Sequence, residues 1–104
     1  MSNEPWSEQY RVAALRHVEL EAAANLLEES KTAVLAQKKA MQGDIPDSHA
    51  ERIVKASSSW SDYITKMVES RKQANLAKVE VDYIKMRYWE EQSANANSRV
   101  EARL

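Results

Sequence analysis

The chain has no cysteine and no phenylalanine, and only one glycine and two prolines among its 104 residues. Without cysteine there is no disulfide, no thiolate metal ligand and no thiol nucleophile. A lone glycine cannot build the glycine-rich phosphate loop or the Gly-x-Ser-x-Gly elbow of hydrolases, since both need several tight turns. No apolar run approaches the roughly 18 residues that a membrane-spanning helix requires. The opening Met1-Ser2-Asn3-Glu4-Pro5-Trp6 lacks the basic and apolar parts of a signal peptide. The expected location is therefore the cytoplasm, with no membrane partner.

What the chain does have is helix-forming residues with a seven-residue rhythm. Ala, Glu, Lys, Gln and Leu lose little side-chain freedom in a helix. From Trp6 an apolar or small residue returns every seven positions, through Ala13, Leu20, Leu27 and Val34 to Met41. The spacing resumes at Trp60, Met67, Ala74, Val81 and Tyr88. Between the two runs lies Gly43-Asp44-Ile45-Pro46-Asp47, with glycine as a helix stop. The predicted fold is all-α: an elongated antiparallel helical hairpin with a short intervening helix, coiled-coil-like and oligomeric. One domain, residues 1–104, is expected to hold a helix over about 4–42 and a turn at 43–47. A short helix over about 48–56 and a long helix over about 59–98 follow. Pro5 suits the first turn of the first helix. Ser48-His49-Ala50-Glu51 has the spacing of a capping box, and Ile53 and Val54 are expected to point inward. The Ser57-Ser58-Ser59 triplet predicts a break, with Ser59 able to cap the next helix. The polar stretch from Ser93 to Ser98 predicts a tail that frays or is stabilised by another chain.

The long helix carries two apolar lines. One runs through Trp60, Tyr63, Met67, Ala74, Ala77, Val81, Ile84 and Tyr88. The other runs through Ile64, Val68, Leu76, Val79, Tyr83 and Met86. The first helix covers one line, and the other predicts self-association. Trp60, Met67, Leu76, Val79, Tyr83 and Met86 are the expected partner or oligomer interface. Tryptophan is the residue type most enriched among interface anchors, which singles out Trp6, Trp60 and Trp89.

Charge is divided between the arms. Residues 1–49 carry five Lys/Arg against eight Asp/Glu, whereas residues 50–88 carry eight against five. Opposite signs on two arms favour antiparallel pairing. They also leave a basic helix able to meet an anionic partner. Lys66, Arg71, Lys72, Lys78, Lys85 and Arg87 are the candidate phosphate contacts, and Trp89 is a candidate base-stacking residue. The same aromatics also fit the apolar lines as packing. His17 and His49 lie on different predicted elements, and the pair His17 and Glu21 does not define a metal site. No catalytic residue, metal, cofactor or small-molecule substrate is expected, and the chain reads as a protein other than an enzyme.

The segment from Gly43 to Gln92 resembles small helical proteins encoded in the early regions of tailed phages. The resemblance rests on Gln42-Gly43-Asp44-Ile45-Pro46, Ala50-Glu51-Arg52, Met67-Val68-Glu69-Ser70-Arg71 and Asp82-Tyr83-Ile84. A shorter likeness, through Glu69-Ser70-Arg71-Lys72 and Val81-Asp82-Tyr83, is to the recombination mediator of T-even phages. These resemblances imply an accessory role in phage DNA recombination or replication, within the host cytoplasm. They carry Arg71, Lys72 and Lys78 over as DNA contacts. The expected partners are other copies of the chain, together with single-stranded DNA or a recombination or replication protein. The alternative is an inhibitor or adaptor that grips a host protein without touching nucleic acid.

Overall fold

The computed structural model describes residues 4–103, and these form three helices with no strand among them. Helix α1 spans Trp6–Ala40, α2 spans Asp47–Lys55 and α3 spans Ser58–Arg103. Helices α1 and α3 run antiparallel as a hairpin, and α2 packs on both at the closed end. The molecule measures 84 × 20 × 19 Å, with a radius of gyration of 23.2 Å. A compact domain of similar length would have a radius of about 13 Å.

Each boundary has a local cause. The Pro5 carbonyl accepts from the Glu8 and Gln9 amides, so Pro5 stands just outside α1 instead of within its first turn. At the other end the Met41 amide reaches Gln37 and the Gln42 amide reaches Lys39, which tightens the last turn. Gly43 then takes φ +88°, the left-handed conformation that favours glycine. Helix α2 begins two residues earlier than the capping box implies. The Pro46 carbonyl accepts from His49 and Ala50, so Pro46 is the N-cap and Ser48, already the second helical residue, makes no cap. Ala50 and Val54 face inward, while Ile53 is exposed, contrary to expectation. One residue apart on a helix is 100°, so Ile53 and Val54 cannot share a narrow buried face.

The serine break is real, but its cap is Ser57 and not Ser59. The Ser57 hydroxyl donates to the Val54 carbonyl at 2.6 Å and accepts from the Trp60 amide at 3.2 Å. One side chain thus closes α2 and opens α3. The tail is helical through Arg103, beyond the expected end near residue 98. Its alanines, glutamates and arginines offset the weaker serines and asparagines. All of it is exposed, since Trp6 is level with Glu91 and α1 goes no further.

The inner line of α3 is the one through Trp60, Ala74, Ala77, Val81 and Ile84, all buried. Against it lie Ala13 and Ala24 of α1, with Trp6 and Ala14 half-buried beside Val81 and Ile84. Ala24 and Ala74 are wholly buried, and their small side chains let the two helices approach closely. Tyr63, half-buried, stacks on Trp60 with ring centroids 5.7 Å apart and donates to the Leu27 carbonyl.

Candidate interaction surfaces

Three places on the hairpin gather the side chains with chemistry. The first is a polar lock midway along it. The Arg71 guanidinium donates to Glu28 through Nε and Nη2, to Glu21 through Nη1 and to Asn25 through Nη2, at 2.7–2.8 Å. These acceptors recur every three or four residues on one flank of α1, so a single planar fork reaches all three. Hydrogen bonds to Glu28 and then Glu21 raise the Arg71 pKa above its usual value, and the bond from Arg71 holds Glu28 below the usual carboxylate value. His17 sits 3.7 Å from the second oxygen of Glu21. Arg71 was a candidate DNA contact, but its donors are engaged inside the hairpin. The opposite charge of the two arms is realised here as a direct contact.

The second is the open end. Trp6, Tyr10, Lys85, Tyr88 and Trp89 border an open hollow of about 420 Å³ between α1 and α3. Lys85 lies 5.6 Å from the Tyr10 ring centre, within cation–π range. The Trp6 indole N–H donates to Glu91 at 2.6 Å, and Tyr88 and Trp89 meet edge to face at 5.3 Å. Trp89 is 66 % exposed. Tyr10 and Glu91 were not singled out from the sequence. An antiparallel register would have found them, since residue 10 falls level with 85 and 6 with 91.

The third is the pair of outer faces. On α3, Val68, Leu76, Val79, Tyr83 and Met86 are all more than half exposed, turned away from α1. On α1, Val12, Leu15, Val18 and Leu26 form the equivalent outer face. Of the six expected interface residues, Leu76, Val79, Tyr83 and Met86 lie on the surface. Trp60 does not. It is 6 % exposed, packed inside the hairpin, and Met67 is half-buried on the same inner line.

The remaining candidate cations do not form one patch. At 100° per residue, Lys78 and Lys85 share a flank with Arg71, Lys72 lies on the outer stripe, and Lys66 and Arg87 lie on the opposite flank. Asp62, Glu69 and Glu80 are interspersed on that opposite flank. Among the described residues no three of His, Asp and Glu converge as a metal site, and no helix is long and apolar enough to cross a membrane. No family model matches the chain, and neither does any curated protein or solved structure.

Proposed function

We propose that the chain is a non-catalytic accessory protein that works as an oligomer, assembling through the outer faces of its two long helices. The observation that carries this reading is the stripe Val68, Leu76, Val79, Tyr83 and Met86, exposed along one side of a 46-residue helix. Burying an aliphatic or aromatic side chain contributes about 1.5–3 kcal/mol, so a stripe of five is a large unused store. Isolated surface hydrophobics are ordinary, but a line of them along one helix face, here interrupted only by Lys72 between Val68 and Leu76, marks an interaction site. Sedimentation equilibrium at micromolar concentration should give at least twice the 11.9 kDa chain mass. A Val79→Glu variant should shift toward monomer with its helix content intact. A concentration-independent monomer with cooperative unfolding would end the proposal.

A second reading concerns what the oligomer serves. The resemblance of residues 43–92 implies phage DNA recombination or replication, and the open end supports a nucleic-acid contact there. Exposed Trp89 stands beside Lys85, with Lys78 two turns back on the same flank. Lys78→Ala and Lys85→Ala should weaken binding to single-stranded DNA. Each should reduce the slope of log affinity against log salt by about 0.7. If the unaltered protein retains no DNA at low salt, the open end instead serves a protein partner, as an inhibitor or adaptor would use it.

A further inference from the structure

The two outer faces fit each other. Within the hairpin, Trp6 meets Glu91, Tyr10 meets Lys85 and Asn25 meets Arg71, so the numbers of residues at one level total between 95 and 97. By that rule the exposed apolar residues on the two outer faces fall level within one or two positions. Val12 is level with Tyr83, Leu15 with Val79 and Leu26 with Val68, although none of these pairs touches within the chain, because the faces point in opposite directions. A copy set beside the first with no shift along the long axis would bring each of these pairs together.

The charges agree with the same register. Glu8 falls level with Arg87 and Arg11 with Asp82, while Glu19 lies about one turn from Lys72. In the single chain Glu8 pairs with Arg11, and among the described residues Arg87, Asp82 and Lys72 make no ion pair. The handedness of the two helices places Glu8, Glu19 and Arg87 toward one edge of that contact, with Lys72 nearer its centre. Pairing α3 with α3 would match Lys72 with Glu90 and Leu76 with Met86, but it leaves the outer face of α1 uncovered and sets like charges together at its edges. The register that sets Val79 against Tyr83 also brings Glu80 beside Glu80 and Asp82 beside Asp82, and like charges across a helix pair disfavour it.

We propose that the outer face of α1 in one copy seats on the outer face of α3 in the next, antiparallel and without axial offset, through Val12–Tyr83, Leu15–Val79 and Leu26–Val68 contacts. The inference rests on the self-association proposed above and assigns its geometry. The contact is heterologous, with different faces meeting, so each copy keeps one free face of each kind until a ring closes or an array ends.

The absence of native cysteine makes the test direct, because any disulfide must come from the introduced residues. Leu15→Cys and Val79→Cys chains, one carrying a size tag, are purified separately, mixed and oxidised. The expected product is a mixed disulfide between tagged and untagged chains, with neither variant linking to itself when alone. Leu26→Cys mixed with Val79→Cys should stay unlinked, because these positions lie about 14 Å apart along the axis and a disulfide needs Cα atoms within about 7 Å. Efficient self-linking of Val79→Cys, with sedimentation still showing an oligomer, would overturn this geometry and leave self-association standing. Absence of any link together with a monomer mass would overturn both.

Discussion

Two tryptophans of one helix should respond to the same substitution in opposite ways. Trp60 is 6 % exposed, buried near the closed end with Tyr63 stacked upon it, whereas Trp89 is 66 % exposed at the open end. A buried tryptophan removes about 150–250 Å² from water. At about 25 cal/mol per Å² that corresponds to roughly 4–6 kcal/mol, an upper range against the roughly 3–5 kcal/mol typical of Trp→Ala in cores. Trp60→Ala should therefore cost about 4 kcal/mol, a large share of the roughly 5–15 kcal/mol that stabilises a domain. The melting temperature should fall by roughly 15–30 °C. Trp89→Ala should move it by no more than a few degrees, the usual effect at a surface position. Circular dichroism at 222 nm, with both variants at one low concentration, reads both outcomes. Were Trp60 an anchor for a partner, its variant would melt like the parent and lose only binding. A shift below about 3 °C for Trp60→Ala would refute the packing argument.

Gly43→Val should lower stability by roughly 1 kcal/mol or more, since φ is +88° and the space around an added Cβ is open, so the cost lies in the backbone alone. Gly43→Asn, which tolerates that conformation, should recover much of the loss, and equal melting of all three would refute the turn assignment. Acid should weaken the lock at Arg71. Glu28 is held below its ordinary value of 4.5, so its contribution is complete above that value and is lost as pH falls through the lower folded value. Melting temperature should begin to drop below pH 4.5, and the drop should be shallower in Glu28→Gln. Parallel curves would show that the ion pair adds nothing.

The hairpin was legible because helical periodicity and a unique glycine are local signals. Seven-residue spacing marked both arms, and only Gly43 offers φ above zero without strain. What stayed hidden was the choice between equivalents. Both apolar lines of α3 have helical spacing, and size separates them: Ala74 and Ala77 admit a close neighbour, while Leu76 and Val79 hold one off. Three successive serines are equally good caps by type, and Ser57 is selected by the Val54 carbonyl it can reach. Arg71 looks like any other base on α3. Only the level of Glu21, Asn25 and Glu28 across the hairpin distinguishes it from Lys72. Trp60 misled for a similar reason, because tryptophan's preference for interfaces does not say whether the interface lies within the chain or between chains.

Size selection also leaves an unusual distribution of apolar area. Among the described residues, five of the nine buried hydrophobic side chains are alanine, while valines, leucines, a tyrosine and a methionine line the outer faces. Alanine contributes little burial, so close approach of the helices secures geometry at the expense of hydrophobic area. A single hairpin is thus held by a few fully buried large groups, Trp60, Val54, Val81 and Ile84, by half-buried ones such as Leu20, Leu27, Val34, Ile64 and Met67, and by the lock at Arg71. A further apolar store becomes available only when the outer faces are covered. Under the self-association proposed above, covering them would stabilise the fold itself and make stability a function of concentration. Melting temperature should rise steadily as the protein is concentrated from low to high micromolar. Val79→Glu should flatten that dependence and bring the melt to the dilute-limit value at every concentration. A midpoint that does not move over a hundredfold range would mean that the alanine-lined hairpin is sufficient alone, and that the outer stripes play no part in holding the protein together.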